Sequence, residues 1–283
     1  MSASKPSTTA GTPSASGKLL THRDGPVTTL TLNRPECHNA LDVELSTELN
    51  LAIKALEHDR ECRAVILRGA GDTFCAGDDI KGFADFGPDE AYWQVRMYQE
   101  TAKLIEDLTP VTIAAVDGVA TGGGLELTLV CDFVIATDRS RWGMPEIDWD
   151  ITPGWGGLSR LPRVAGRRKA KEWNLIGNLF GAETAERYDL VNRICPPEHL
   201  DAEVAALVEV MLAKHPITLR RSKTYLDKGA DLHISGALAF EALREPLTEL
   251  PAGIGEFADR DARARRRALS RDFWLEQRPT SSG

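Results

Sequence analysis

Short apolar runs alternate with amphipathic helical stretches along the first half of this chain, and this alternation constrains the fold more than any other feature. Leucines recur at helical spacing from Leu41 to Leu56, whereas the run Val65-Ile66-Leu67 is too short for a helix and ends before Gly69. A strand, a helix and a second strand make a βα crossover unit, so the pattern predicts an α/β fold. Strands are predicted at 27–32, 65–67, 111–116 and 133–135, and helices at 41–56, 89–108 and 122–131.

The start of the first helix carries two polar residues suited to a helix N-terminus. Asn39 is predicted to be the N-cap, and Asp42 falls three residues later, in the first turn, where the helix dipole favours an acidic side chain. This arrangement predicts a well-defined start to the helix.

The composition divides the chain into three parts. Residues 1–17 are almost all Ser, Thr, Ala, Pro and Gly and are predicted to form a disordered N-terminal tail. The α/β core is expected at 18–198. The remainder, 199–283, is predicted to be helical, with helices at 200–212, 216–228 and 235–249.

Charge and cysteine content limit the functional classes. A net charge of −8 over 283 residues disfavours a nucleic-acid partner, which would need a basic surface. Five scattered cysteines, none in a C-x-x-C pair, fit reduced thiols better than a disulfide framework. No apolar run approaches the roughly 20 residues of a membrane span. We therefore expect a cytoplasmic protein with no membrane partner.

Two glycine-rich segments are the first candidates for chemistry. Small residues in Phe74-Cys75-Ala76-Gly77-Asp78-Asp79-Ile80-Lys81 let the backbone turn sharply beside a ligand. In Gly118-Val119-Ala120-Thr121-Gly122-Gly123-Gly124, three glycines lead into a helix whose first N–H groups have no internal partner. Two such loops, each offering one backbone N–H, would form an oxyanion hole. Each cluster taken alone is equally consistent with a tight turn.

Two glutamates are candidates for acid–base chemistry. Glu126 lies in the first turn of the glycine-rich helix, and Glu146 follows Pro145, a residue suited to starting a helix. The alternative is structural, because the helix dipole also favours an acidic residue in a first turn. Other chemistries lack their motifs: the glycine spacings fail G-x-G-x-x-G, and the chain has no G-x-S-x-G, Walker loop, H-E-x-x-H or paired-cysteine metal site.

At about residues 20–250 the chain resembles the enoyl-CoA hydratase/isomerase (crotonase) superfamily. The resemblance implies a crotonase-like spiral of ββα units with a helical C-terminal trimerisation region, and a homotrimer or a dimer of trimers. It rests on Asn33-Arg34-Pro35 with Asn39-Ala40-Leu41, Ala76-Gly77-Asp78-Asp79-Ile80-Lys81, Gly122-Gly123-Gly124-Leu125-Glu126, Pro145-Glu146-Ile147 and Pro153-Gly154-Trp155-Gly156-Gly157, in that order.

Carried over residue by residue, the resemblance implies roles for the candidate residues. The backbone N–H groups of Asp78 and Gly123 would hold the thioester carbonyl, Glu126 would be the base that activates water, and Glu146 the acid. Coenzyme A, which enters as part of the acyl-CoA substrate, would be contacted by Ala76, Asp79, Ile80 and Lys81. The resemblance implies no other cofactor and no metal.

The presence of both glutamates favours hydration of a 2-enoyl-CoA to a 3-hydroxyacyl-CoA, or the reverse dehydration, in fatty acid metabolism. One carboxylate would deprotonate water and a carboxylic acid would return a proton to the enolate. Three alternatives remain: an enoyl-CoA isomerase, a retro-aldol carbon–carbon lyase, and a non-catalytic binding protein with the same fold.

Several residues depart from the family pattern. Asp148-Trp149-Asp150 and Trp155 replace small or aliphatic residues beside the expected acyl pocket, so a non-standard acyl group is one interpretation. Aromatic residues after the first loop could also shape that pocket, although ordinary packing explains most buried aromatics. These residues are Phe83, Phe86, Trp93 and Tyr98.

The C-terminal part of the chain contains a basic run at 260–267. This run could meet coenzyme A phosphates from a neighbouring subunit, or could be a solvated helix face.

Overall fold

A seven-stranded, mostly parallel sheet forms the centre of the structure. The computed structural model describes residues 11–83, 86–242 and 260–275. Numbered along the chain, the strands of this sheet are β1 (Thr12–Pro13), β2 (Leu19–Asp24), β3 (Val27–Leu32), β4 (Ala64–Gly69), β5 (Val111–Val116), β7 (Phe133–Thr137) and β10 (Arg193–Cys195). They lie side by side in that order, with β1, β2 and β3 antiparallel and the strands from β3 to β10 parallel. The parallel pairing confirms the predicted α/β class.

A second, smaller sheet is built from the segments that follow the main strands. It contains β6 (Val119–Thr121), β8 (Arg141–Gly143) and β9 (Phe180–Gly181). Single bridges from Cys75 to Ala120 and from Leu41 to Asp78 continue this row towards the N-terminus. Each turn of the chain therefore adds one strand to the large sheet and one short extended segment to the small one, as expected for a spiral of ββα units.

The helices confirm the predicted helical character of the C-terminal region. After β10, the described residues form helices joined by turns, with no further strand among them. The last seven residues of the helix predicted at 235–249 lie outside the described part. The helices are α1 (Val43–Glu57), α2 (Pro88–Asp107), α3 (Gly123–Thr128), α4 (Gly157–Val164), α5 (Arg167–Ile176), α6 (Ala182–Arg187), α7 (Leu200–Leu212), α8 (Pro216–Gly229), α9 (Ile234–Ala242) and α10 (Arg260–Leu275).

The first helix starts differently from the sequence prediction. Asp42, not Asn39, is the N-cap, and its carboxylate accepts a hydrogen bond from the backbone N–H of Leu45. Asn39 is buried in a left-handed conformation, and its amide donates to the backbone carbonyls of Ala70 and Thr73. The predicted cap was wrong because Asn39 holds two distant segments together, a contact that local sequence does not reveal.

Residues 11–17 also differ from the flexible tail predicted by their composition. Strand β1 pairs with β2, and the hydroxyl groups of Ser14 and Ser16 both donate to the carboxylate of Glu48 on α1. Small polar residues bury little apolar surface, so these hydrogen bonds rather than a hydrophobic contact hold the segment on the core. Residues 1–10 lie outside the described part of the chain.

Strand β5 shows how the sheet is packed on both faces. Ala114 and Val116 belong to the larger core, together with residues of α1 and α2, whereas Val111, Ile113 and Ala115 belong to a second core beneath α7. Every residue of β5 is buried. This explains the uninterrupted apolar character of the run, which is typical of parallel strands covered by helices on both sides.

The basic helix α10 is anchored by one residue of β10. Arg193 forms a 2.6 Å ion pair with Glu203 of α7, and both side chains are buried. The same guanidinium lies 3.8 Å from the ring centroid of Phe273 and donates to the Phe273 backbone carbonyl. Arg263 and Arg265 of the same helix are exposed.

Candidate active site

The two glycine-rich loops meet in the structure. The backbone N–H of Cys75 donates to Val119 at 2.9 Å, and that of Thr121 donates to Cys75 at 3.1 Å. Gly77 has a φ of +99°, and a methyl group added to its Cα would lie 3.3 Å from the backbone nitrogen of Gly123. Only glycine at position 77 adopts this conformation without strain and lets the loops approach so closely.

The two predicted oxyanion donors lie at this meeting point. The peptide groups on either side of Asp78 are engaged with Leu41: the Leu41 N–H donates to Gly77 at 2.8 Å, and the Asp79 N–H donates to Leu41 at 3.0 Å. The N–H of Asp78 itself has no acceptor in the described part of the chain, nor has that of Gly123 at the start of α3. Both N–H groups are therefore available to a ligand.

Glu126 is fixed beside these donors. Its side chain is 1% exposed, and Oε1 accepts a 2.5 Å hydrogen bond from the backbone N–H of Gly157 at the start of α4. Oε2 is buried without a hydrogen-bond partner among the described residues. Burial raises the pKa of Glu126 to about 8, and the negative charge of Glu146 contributes in the same direction.

The second glutamate, Glu146, lies on a different segment of the chain and packs against the second glycine-rich loop. It lies in the short 3₁₀ helix Pro145–Trp149 and is 9% exposed. A methyl group added to Gly122 would lie 3.0 Å from its Oε1, so this carboxyl group packs against the residue that precedes the donor Gly123. Its Oε2 has no partner in the described residues. Burial raises the pKa of Glu146 to about 7, and the negative charge of Asp78 also raises it.

The carboxyl group of Asp78 is part of the same site, although the sequence analysis assigned a role only to its backbone. Burial raises the pKa of Asp78 to about 6, whereas a hydrogen bond from Trp155 lowers it. Among the described residues, no Lys, Arg or His forms an ion pair with Asp78, Glu126 or Glu146. The site is thus acidic and has no compensating cation.

Trp155 joins the two loops. Its indole Nε1 donates to Asp78 Oδ1 at 2.9 Å, and its ring stacks on Tyr98 with 4.4 Å between centroids. The indole also lies against Gly123, since a methyl group added there would meet Cδ1 at 3.1 Å. Ordinary packing accounts for its complete burial but not for this hydrogen bond. A tryptophan between glycines, where small residues are common in the family, was the one signal of this contact.

The residues predicted to contact coenzyme A have different surroundings. Lys81 is exposed, at the start of a 3₁₀ helix, Ile80–Phe83. Asp79 forms a 3.0 Å ion pair with Arg34, so its carboxylate is already neutralised within the protein. The backbone of Ala76 is engaged on both sides, by His38 and by the Thr121 hydroxyl.

Of the other aromatic residues considered for the acyl pocket, Tyr98 lies beside the site, stacked on Trp155. Trp93 is 67% exposed. Phe86 is half-buried, and the side chain of Phe83 lies outside the described part. Trp149, in the 3₁₀ helix of Glu146, is exposed.

The residues that the structure describes contain no group of three or more His, Cys, Asp or Glu side chains that could hold a metal ion. None of their helices is both long and apolar enough to cross a membrane.

The chain is similar in sequence and in structure to known proteins. The profile of the enoyl-CoA hydratase/isomerase family matches residues 22–245. The chain is 35% identical over 225 residues to a crotonyl-CoA hydratase of Syntrophomonas wolfei, covering 79% of this chain and 86% of the relative. A short-chain-enoyl-CoA hydratase of Clostridium acetobutylicum is 34% identical with the same coverage. The crystal structure of an enoyl-CoA hydratase from Bacillus anthracis superposes with a TM-score of 0.77 at 33% identity, over 80% of this chain and 88% of that one.

Proposed function

This chain belongs to the enoyl-CoA hydratase/isomerase family, and from that membership we propose that it is a hydro-lyase that adds water to a 2-enoyl-CoA. The product is a 3-hydroxyacyl-CoA, and the same site catalyses the reverse dehydration. The relatives named as enoyl-CoA hydratases support this reaction class. The observation that carries the proposal is a pair of buried glutamates beside two backbone N–H groups. One carboxyl oxygen of each glutamate, and both N–H groups, have no partner among the described residues.

The first part of the proposed mechanism is polarisation of the thioester. The carbonyl oxygen accepts hydrogen bonds from the N–H groups of Asp78 and Gly123. As water attacks Cβ, negative charge moves onto this oxygen and an enolate forms. Donors fixed in advance stabilise that charge without reorganising, which is the largest contribution in many enzymes of this kind.

The glutamates supply the proton transfers. Glu126, held through Oε1 by Gly157, uses its second oxygen to orient and deprotonate the attacking water. Glu146 delivers a proton to Cα of the enolate. Taken alone, pKa values of about 8 for Glu126 and about 7 for Glu146 would place the shared proton on Glu126. We assign Glu126 as the base by resemblance to the family, and the hydrogen bond from Gly157 stabilises the ionised form that this role requires.

The pair is suited to hold one proton between its two members at neutral pH. Burial raises both pKa values into the range of about 7 to about 8, and the negative charge of Glu146 further raises the pKa of Glu126. The titration therefore belongs to the pair rather than to either residue alone. One carboxylate and one carboxylic acid are what addition of water requires.

The proposal also covers binding of the coenzyme A portion of the substrate. Lys81 lies along this portion, where its exposed ammonium group can meet a phosphate.

The protein assembles as a trimer or a dimer of trimers in the cytoplasm. Light scattering on the purified protein tests the assembly, and a monomer mass would contradict it.

The reaction class is tested by product analysis in isotopically labelled water. A panel of 2-enoyl-CoA and 3-enoyl-CoA thioesters is incubated with the protein, and products are identified by mass spectrometry. Hydration predicts one labelled oxygen at C3 of the product. Conversion of a 3-enoyl-CoA to its 2-enoyl isomer without gain of water would instead establish an isomerase.

A further inference from the structure

The side chain of Asp78 has one carboxyl oxygen in use and one open. Oδ1 accepts the hydrogen bond from Trp155 Nε1. Oδ2 has no hydrogen-bond donor among the described residues, and Asp78 as a whole is half-buried. This second oxygen is therefore left to accept a hydrogen bond from a ligand.

The location of this oxygen is set by the backbone of the same residue. If the Asp78 N–H holds the thioester carbonyl, as proposed above, the carboxyl group lies one side-chain length from that carbonyl. The indole that binds Oδ1 also lies against Gly123, the second donor, so it covers both donor residues. The negative charge of Asp78 also raises the pKa values of Glu126 and Glu146, so its carboxyl group lies within electrostatic reach of both glutamates. Since the proposed mechanism places these glutamates at Cα and Cβ, we expect Asp78 Oδ2 to lie near the first carbons of the acyl chain.

A plain alkyl chain would be a poor neighbour for this oxygen. It would shield Oδ2 from water and offer no hydrogen bond, and no cation in the described residues compensates the charge. Leaving a buried acceptor unpaired costs about 1–3 kcal/mol, and more for a charged group. A hydroxyl group on the ligand would remove this penalty, since it donates to a carboxylate and can also accept from a carboxylic acid.

We infer that the acyl group of the substrate carries a hydroxyl close to the double bond, and that Asp78 Oδ2 recognises it. The inference rests on the proposed function, because it uses the thioester to place the acyl chain. It assigns Asp78 a specificity role beyond its backbone N–H, and assigns Trp155 the positioning of that carboxyl group. Trp155 is one of the departures from the family pattern noted in the sequence.

A matched pair of substrates tests the inference. 4-Hydroxybut-2-enoyl-CoA and 2-pentenoyl-CoA differ by a hydroxyl in place of a methyl group and share the same conjugated thioester absorbance. We expect kcat/KM of the wild-type protein to be at least about tenfold higher for the hydroxy substrate, the discrimination of one hydrogen bond to a carboxyl group.

Variants at two acidic residues of the same segment locate the effect. Asp78→Ala should reduce the ratio of the two kcat/KM values to about one. Asp72→Ala is the matched control: its side chain is exposed, and the ratio should be unchanged. A wild-type ratio of one or less, or an Asp78→Ala protein that keeps the full ratio, would overturn the inference. If Asp78→Ala does not fold, the wild-type ratio decides alone. Failure of the wild-type protein to hydrate either thioester would refute the hydratase proposal itself, which is a distinct result.

Discussion

The backbone N–H of Gly157 donates a 2.5 Å hydrogen bond to Oε1 of Glu126, across 31 positions of the sequence. A methyl group at position 157 would lie 2.8 Å from both Cγ and Oε1 of the glutamate. Gly157 is thus needed both as the donor and as the residue that leaves room for the carboxyl group. The relationship ties the start of α4 to the base of the proposed reaction.

Gly157→Ala should therefore displace the Glu126 carboxyl group. We expect kcat to fall about 100-fold, the effect of a displacement of roughly 1 Å at a catalytic group, with a much smaller change in KM. Steady-state kinetics on crotonyl-CoA measure this. Leu158→Ala, which truncates the exposed neighbouring side chain, is the control and should leave kcat unchanged. Equal losses in the two variants would remove the role assigned to Gly157.

The pH dependence of activity should follow the glutamate pair. The active form carries one proton on the two carboxyl groups, whose pKa values are raised to about 7 and about 8. Below this range both are protonated and the base is lost, and above it both are ionised and the acid is lost. We expect kcat/KM to have its maximum between about pH 7 and about pH 8 and to fall on both sides. The measurement runs from about pH 5 to about pH 10, roughly two units beyond the expected maximum on either side. A kcat/KM that stays constant over this range would contradict a proton shared by the two glutamates.

Burial of Glu126 should also make the folded protein less stable at alkaline pH. Its folded pKa of about 8 lies above the ordinary value of 4.5, so the folded protein binds more protons than the unfolded chain between these limits. The free energy of unfolding therefore falls as pH rises through this window and is level above it. Glutamine does not titrate, so Glu126→Gln should gain stability relative to wild type as pH rises. Urea unfolding of both proteins at about pH 5 and about pH 9 measures the difference; a constant gap would show that Glu126 does not titrate in this range.

Gly124 should be indispensable for the approach of the two loops. A methyl group there would lie 2.2 Å from the backbone carbonyl oxygen of Cys75, which cannot move without breaking the bridge to Ala120. We expect Gly124→Ala to destabilise the protein by more than about 2 kcal/mol, as backbone overpacking does. Gly236→Ala is the matched control. Gly236 lies in α9, and the atom nearest to an added methyl group would be Leu232 Cβ at 3.8 Å, so this variant should gain about 0.5–1 kcal/mol from helix propensity. Thermal unfolding of both variants distinguishes the outcomes, and similar melting temperatures would contradict the close approach.

The parts of the fold with strong apolar periodicity could be predicted from sequence. The limits of β5 and α7 agree with the predicted runs because each buries an uninterrupted apolar face against the sheet or its helices. The two glycine-rich loops could also be recognised, because each cluster of glycines and small residues lies between a predicted strand and a predicted helix.

Contacts between distant residues could not be predicted in the same way. The hydrogen bond of Trp155 to Asp78 spans 77 positions, and the amide of Asn39 reaches Thr73 across 34. Nothing in the local pattern around Asp78 distinguishes a solvated carboxylate from one held against an indole. The acidic character of the acyl side of the site therefore emerges only once the chain is folded.

The central claim is that two backbone N–H groups hold the enolate oxygen while Glu126 and Glu146 act on the adjacent carbons. The most direct measurement is the loss of conjugated thioester absorbance when the purified protein is added to crotonyl-CoA, compared with Glu126→Gln and Glu146→Gln. We predict a loss in the wild-type protein and a rate at least about 100-fold lower in each variant, with binding of the thioester retained. Unchanged absorbance with the wild-type protein, or full activity in either variant, would contradict the account.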